Sequence, residues 1–200
     1  MMMSEIEKFI KQLESFNPME NVFNPWKCSD TKIEEHNAHI TRQENLKRYL
    51  LSKTKATLIL IGEAPGYKGC RFSGVAFTSE AILYKDKTKK KEATSTIIHS
   101  IVEQNKLQES IVFWNAFPFH PHQNNDKTKN RTPSKQELEV TKPILHSFLG
   151  LFPNACVIAC GNTAKNTLSK INIACEGVRH PSFGGKHEFK TGLIKIIETT

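Results

Sequence analysis

The sequence predicts an α/β fold, a single-domain three-layer α/β/α sandwich around a central, mostly parallel four-stranded sheet. Short continuous apolar runs alternate along the chain with segments whose apolar residues recur at helical spacing. That alternation is typical of parallel strands covered by helices on both faces. The length of 200 residues suits one domain better than two, and the sequence contains neither an internal repeat nor a linker-like stretch. We therefore predict a single domain over residues 1–200.

The N-terminal part, residues 1–50, is predicted to consist of helices. Apolar residues recur at helical spacing through residues 5–15, and an Asn-Pro dipeptide then breaks the pattern. Asp30 is predicted to cap a second helix, which continues by a weaker pattern to Leu50.

Four strands and three further helices are predicted beyond residue 50. The strands are apolar runs at residues 57–61, 111–114, 155–159 and 171–174. Helices are predicted around residues 97–102, from Ser134 and from Asn162. Ser134 and Glu137 form a capping box, and Pro143 is expected to kink the helix that they open. Residues 120–133 are polar and are predicted to form a surface loop.

Charge and composition restrict the partners of the chain. The 28 Lys and Arg residues outnumber the 20 Asp and Glu residues, which gives a formal net charge of +8. Such a surplus favours an anionic partner, with nucleic acid as the first candidate.

The N-terminus lacks the pattern of a signal peptide, and the longest apolar stretch is too short to span a membrane. Five cysteines without Cys-x-x-Cys spacing do not suggest a disulfide framework, so we expect a cytoplasmic location.

Three unusual loops sit just after three of the predicted strands. They are Gly-Glu-Ala-Pro-Gly at residues 62–66, Asn-Ala-Phe-Pro-Phe at residues 115–119 and Arg-His-Pro-Ser at residues 179–182. In an open parallel sheet, binding sites form beyond the carboxyl ends of the strands. The three loops are therefore predicted to converge on one pocket.

These motifs resemble those of the uracil-DNA glycosylase superfamily. Residues 62–66, followed by Gly-Val-Ala-Phe-Thr at residues 74–78, are similar to its first motif, in the branch with a Gly-Glu-Ala-Pro-Gly signature. His-Pro-Ser at residues 180–182 matches its His-Pro-Ser motif, and Asn115 matches the asparagine that reads uracil. Residues 160–164 resemble its strand-to-helix turn. The likeness spans a motif-bearing core over residues 57–187.

The resemblance implies a monofunctional DNA repair glycosylase that flips uracil out of DNA and hydrolyses its N-glycosidic bond with water. Two alternatives stay open at this point. One is a glycosylase for another deaminated or mismatched base, such as hypoxanthine. The other is a catalytically inactive, DNA-binding member of the superfamily. We expect DNA, single- or double-stranded, as the partner of a monomeric protein, with no membrane partner.

The resemblance also implies roles for individual residues. His180 would donate a hydrogen bond to O2 of the departing uracil, where negative charge develops. Glu63 would activate water or, alternatively, only shape its loop, because the best-studied branch has its water-activating aspartate at the position of Ala64. Asn115 would bond N3–H and O4, Phe77 would stack on the base, and the remaining substrate-binding residues would be Gly62, Ala64 and Gly66.

Phosphate contacts are predicted for Ser79, Arg179, Ser182 and Lys186, and Phe183 is a candidate wedge in the duplex. The aromatic residue that blocks a C5 methyl group in one branch is replaced here by Gly66, with Tyr67 as the candidate substitute.

No metal or other cofactor is predicted. The branch with the Gly-Glu-Ala-Pro-Gly signature often holds an iron–sulfur cluster, but this chain has Cys28 alone where an early cysteine pair is expected. Cys156 and Cys160 lie roughly 13 Å apart if both are on one strand, too far for one metal ion. His120 and His122 alternate along an extended segment but lack a third ligand at suitable spacing.

Overall fold

The computed structural model describes residues 2–199, which form eight helices and seven strands. In chain order the elements are α1 (Met2–Ser15), β1 (Val22–Phe23), α2 (Ala38–Leu51), β2 (Leu58–Gly62), α3 (Cys70–Ser73), α4 (Glu80–Leu83), α5 (Ala93–Gln104), β3 (Ile111–Asn115), β4 (His120–Gln123), β5 (Asp126–Asn130), α6 (Lys135–Gly150), β6 (Cys156–Cys160), α7 (Gly161–Lys170), β7 (Glu176–Val178) and α8 (Lys186–Thr199).

The larger sheet has four strands in the order β3-β2-β6-β7, and all of its neighbouring pairs are parallel. The chain moves from β2 to β3 on one side and later returns to β6 on the other side of β2. Strand order therefore changes direction at β2, and such a switch point opens a crevice above the carboxyl ends of the strands.

Alternate residues of the strands face two separate apolar clusters. Ile59 and Ile61 pack into a cluster that includes residues of α1, α2, α6 and α7, whereas Leu58 and Leu60 pack into a cluster that includes residues of α5 and α8. Because side chains alternate across a strand, a sheet buried on both faces must be apolar at every position. The layered α/β prediction is confirmed, with helices on each face of the four-stranded sheet.

The capping box that opens α6 is confirmed. Ser134 Oγ accepts a hydrogen bond from the Glu137 N–H at 3.2 Å, and Glu137 Oε2 accepts one from the Ser134 N–H at 2.6 Å. Arg131 also donates to both carboxylate oxygens of Glu137, at 2.8 and 2.6 Å. Pro143 lies inside α6, which continues as one helix to Gly150.

Residues 120–133 are predicted to form a surface loop, and residues 123–132 are indeed at least partly exposed, but the prediction of a loop was wrong. The segment forms a hairpin of β4 and β5, and β4 also pairs with β1. His120 is fully buried, but both of its ring nitrogens bond to carbonyl oxygens, those of Pro65 and Lys127, each at 2.8 Å. A polar side chain such as His120 can thus be buried because its polar atoms find partners within the fold.

Two other local predictions were wrong. Residues 171–174 are not a strand, because the Ile173 N–H donates to the Leu168 carbonyl and closes the end of α7. The fourth strand is β7, a few residues later. Asp30 does not cap α2, which begins at Ala38; its carboxylate instead pairs with Arg71 at 3.1 Å and Lys127 at 3.0 Å.

Within residues 2–199, no helix combines the length and apolar character that crossing a membrane requires.

Candidate active site

The carboxyl ends of the four parallel strands lie level with one another. Gly62 at the end of β2 pairs with Asn115 at the end of β3, and Cys160 at the end of β6 pairs with Val178 at the end of β7. The three motif loops leave the sheet from these ends, as the sequence predicts. They meet at a cavity of ≈ 440 Å³.

Most of the predicted site residues line this cavity. They are Gly62, Glu63, Ala64, Gly66, Phe77, Asn115, Arg179, His180 and Phe183. Ser79, Ser182 and Lys186 are not part of the lining. The amide, the imidazole and the aromatic ring that the base-reading hypothesis requires are therefore brought to one place.

Gly62 allows Asn115 and Phe77 to approach each other. A Cβ atom at Gly62 would lie 2.7 Å from Asn115 Oδ1 and 2.7 Å from Phe77 Cζ, which is closer than atoms can pack. Phe77 itself has a left-handed backbone, with φ of 51°, so its ring is placed by an unusual local conformation. Asn115 is only 6% exposed, yet its amide has no hydrogen bond to any part of the chain from residue 2 to residue 199. A buried amide without partners is suited to bind a ligand.

His180 is held as a hydrogen-bond donor. The Ser182 N–H donates to His180 Nδ1 at 3.2 Å, so we infer that the neutral ring carries its proton on Nε2. Burial, together with the nearby charge of Arg179, holds the pKa of His180 below its usual value. Neutral imidazole, with Nε2–H as the donor, is thus the form favoured near pH 7.

The turn after His180 depends on glycine. A Cβ atom at Gly185 would lie 2.2 Å from the His180 carbonyl oxygen, and one at Gly161 would lie 2.9 Å from His180 Cβ. Gly161 also has a φ of 88°, which is unfavourable for other residues. These two glycines let the chain fold closely around the histidine and fix its position.

Glu63 lines the cavity and carries a buried acceptor. Its Oε1 is buried and has no hydrogen-bond partner within the described part of the chain. Burial raises the pKa of Glu63, while a hydrogen bond with Thr132 and the charge of Lys170 act in the opposite direction. Because buried acceptors are usually paired, Oε1 is suited to receive a hydrogen bond from a water molecule.

The loop that carries Glu63 is anchored by backbone hydrogen bonds. The Ala116 and Phe117 N–H groups donate to the Gly62 and Glu63 carbonyls, each at 2.9 Å. The bond between His120 and the Pro65 carbonyl holds the far side of the same loop. The first and second motifs therefore position each other, as preorganised catalysis requires.

Glu92 is a lining residue that sequence reasoning missed. It immediately precedes α5, and its carboxyl group packs against Gly66 and Gly69. Ser95 donates a hydrogen bond to its Oε2, and burial raises the pKa of Glu92. In the sequence it only ends a run of lysines, so no local signal connects it with the motif loops.

The residues predicted to contact DNA have different environments. Phe183 is 98% exposed at the rim of the cavity, and Lys186 is exposed at the start of α8. The Ser182 hydroxyl bonds Thr94 Oγ1 at 3.1 Å. Ser79 is completely buried, so a DNA phosphate cannot reach its hydroxyl in this conformation.

Tyr67 does not line the cavity and so does not replace an aromatic residue at Gly66. Its ring packs against Phe72 at 5.3 Å and lies 5.3 Å from the Arg71 guanidinium carbon.

The residues present do not fit an iron–sulfur cluster. All five cysteines are free, and residues 2–199 include no group of three or more His, Cys, Asp or Glu side chains arranged to hold a metal ion.

Comparisons with known proteins agree with this fold. The family model described as the uracil DNA glycosylase superfamily matches residues 50–199. The crystal structure of wild-type SMUG2 from Pedobacter heparinus has a TM-score of 0.70 to this chain, covering 99% of this chain and 97% of that one at 16% sequence identity. At that identity the likeness shows a shared fold. No curated protein matches the sequence.

Proposed function

This chain belongs to the uracil-DNA glycosylase superfamily, a superfamily of DNA glycosylases, and we propose that its own substrate is uracil in DNA. The single observation that carries the proposal is the free, buried amide of Asn115 in a cavity that Phe77 and His180 also line.

The Asn115 amide supports selection of uracil over cytosine. Its carbonyl can accept from uracil N3–H while its NH₂ group donates to O4. Cytosine presents the opposite pattern at both atoms, so the same pose would leave buried polar groups unpaired. Each unpaired group costs about 1–3 kcal/mol. Phe77 provides an aromatic face on which the base stacks.

The proposed reaction is hydrolysis of the N-glycosidic bond, with charge developing at two places. As the glycosidic bond breaks, positive charge develops on the sugar and negative charge on uracil. His180 Nε2–H donates to uracil O2 and stabilises the leaving anion, and Glu63 accepts a proton from the attacking water. No lysine is among the described residues that line the cavity, which supports water rather than an amine as the nucleophile.

Access to the base requires that it leaves the duplex, because the glycosidic bond is out of reach inside the stack. Phe183 is suited to fill the gap, since it is 98% exposed beside the cavity and has a left-handed backbone with φ of 53°. The net charge of +8 supports binding to the phosphate backbone.

Replacing Phe183 by alanine is expected to slow excision from duplex DNA about tenfold and to leave excision from single strands nearly unchanged. The ring replaces stacking of about 1–3 kcal/mol that is lost only when a duplex base is flipped. Single-turnover rates on the two substrates measure the effect. Val140→Ala removes an exposed apolar side chain from α6, outside the cavity lining, and is the matched control. Equal slowing on both substrates would exclude a wedge.

Excision assays test the function itself. Oligonucleotides that contain uracil or hypoxanthine are incubated with the protein as single strands and as duplexes, a duplex with a G·T mismatch is included, and the abasic products are quantified. The proposal expects uracil to be the preferred substrate. Excision of another base but not uracil would assign a different lesion, whereas DNA binding without any abasic product would indicate an inactive DNA-binding protein.

A further inference from the structure

We propose that His99 is a positioning residue for base stacking: by bonding Thr78, it holds the backbone turn that places the Phe77 ring in the cavity. This inference rests on the proposed function, because His99 acts on the base only through Phe77.

The backbone at Phe77 is strained. Its φ of 51° lies in the left-handed region, which is unfavourable for an aromatic residue. Such a conformation persists only where surrounding contacts hold it. Two contacts come from Thr78, whose N–H donates to the Val75 carbonyl at 3.2 Å and whose hydroxyl donates to the Ala76 carbonyl at 3.0 Å. The turn therefore depends on the residue that directly follows Phe77.

His99, on α5, bonds the hydroxyl that closes this turn. Its Nε2 lies 3.1 Å from Thr78 Oγ1. The single proton of that hydroxyl goes to the Ala76 carbonyl, which can only accept, so the hydroxyl accepts from His99 Nε2–H. Because His99 is 21 residues from Thr78, this bond ties the turn to a separate element of the fold.

The imidazole of His99 is neutral near pH 7. Burial and the positive charge of Lys53 lower the pKa of His99 to about 4, while a hydrogen bond with the Phe77 backbone acts in the opposite direction. The ring therefore bonds the turn as a neutral donor, and the turn carries no buried charge.

His99 and Phe77 also pack on the same aromatic ring. Both contact Phe113 edge to face, with ring centroids 5.4 Å away for His99 and 5.8 Å away for Phe77. Phe113 belongs to β3 and is buried in the core. A change at position 99 is thus expected to reach Phe77 through packing as well as through the turn.

His99 itself does not reach the base. Within the described part of the chain, His99 and Thr78 are absent from the lining of the base cavity, and both line a second cavity of ≈ 760 Å³ instead. Any effect of His99 on excision must therefore be indirect. It passes either through Phe77 or through the stability of the whole fold, and experiment can separate these two routes.

The test is a double-mutant cycle between His99→Leu and Phe77→Ala, measured as single-turnover excision of uracil at saturating enzyme. His99→Leu removes the donor and keeps an apolar side chain. It is expected to slow excision about tenfold in the wild-type background, because the ring stacks less well on the base. In the Phe77→Ala background no ring is left to place, so the expected further loss is less than about twofold.

A loss of stability would instead slow both backgrounds equally. His146→Leu, which replaces an exposed imidazole on α6, is the matched control and is expected to leave both rates unchanged.

Two further variants test the hydrogen bond itself. His99→Gln keeps an N–H donor that reaches about as far as Nε2, so its rate is expected to stay within about threefold of the wild type. Thr78→Val removes the acceptor with little change of shape and is expected to slow excision as much as His99→Leu. It decides the question if His99→Leu does not fold.

Several results would overturn the proposal. They are equal slowing by His99→Leu in both backgrounds, near-normal excision by Thr78→Val, and a His99→Gln rate as low as that of His99→Leu. The crystal structure of Thr78→Val gives a readout that needs no activity. We expect the Phe77 ring to move in it, and an unchanged left-handed Phe77 with its ring in place would contradict the role of His99. A wild-type protein that excises no uracil overturns instead the proposed function, and the crystal structure then decides the role of His99 alone.

Discussion

Replacing His180 by alanine is expected to slow uracil excision about 10²–10³-fold, the loss typical of removing one donor from an oxyanion-type site. The Ser182 N–H fixes Nδ1 as an acceptor at 3.2 Å, and burial with the charge of Arg179 lowers the pKa of the ring. The Nε2–H donor is therefore already in place when negative charge develops on uracil. Alanine at position 180 leaves the negative charge on uracil without the Nε2–H donor.

The measurement is the single-turnover rate on a uracil-containing duplex at saturating enzyme, which separates chemistry from DNA binding. His187→Ala is the matched control, because it removes an exposed imidazole seven residues later. A loss of less than about threefold in His180→Ala, with DNA binding intact, would show that the imidazole does not stabilise the leaving base.

Glu63→Gln is expected to slow excision about 10²–10⁴-fold, because an amide of the same shape cannot take a proton from water. The carboxyl group has an unpartnered, buried Oε1 among residues 2–199, which gives the water an acceptor. Near-normal excision by this variant would favour the other role, in which Glu63 shapes its loop through the backbone bond between its carbonyl and the Phe117 N–H.

The pH profile provides a second readout of Glu63. The carboxylate is the active form, so the wild-type rate is high above its pKa and falls as pH decreases through it. Burial raises that pKa from 4.5, so the fall begins at a higher pH than for an ordinary glutamate. Glu63→Gln is expected to lack this acid limb. Glu188→Gln, an exposed glutamate of α8, is expected to keep it.

The buried strands of the sheet could be predicted closely from local pattern. The apolar runs at 57–61, 111–114 and 155–159 differ by no more than one residue at each end from β2, β3 and β6. Continuous apolar runs are reliable here because both faces of a parallel strand are buried, and this requirement applies to every residue of the strand.

The spacing of apolar residues gave wrong predictions where contacts with distant parts of the chain decide the local structure. Residues 171–174 are as apolar as a strand, but Ile171 is only 2% exposed because it covers the core at the end of α7. The β4–β5 hairpin is polar in sequence, and burial of His120 in β4 depends on carbonyl partners such as Pro65. Neither outcome is encoded by the spacing of apolar residues.

The candidate site likewise has features that local sequence predicts and features that depend on tertiary contacts. The parallel sheet and the loops after its strands could be predicted from local sequence, because periodicity and motif residues are local properties of the chain. Only the tertiary structure brought Glu92 to the wall beside Gly66 and buried Ser79 away from DNA. Glu92 is 26 residues from Gly66, and contacts at such separation arise from packing of whole elements, which no short stretch of sequence specifies.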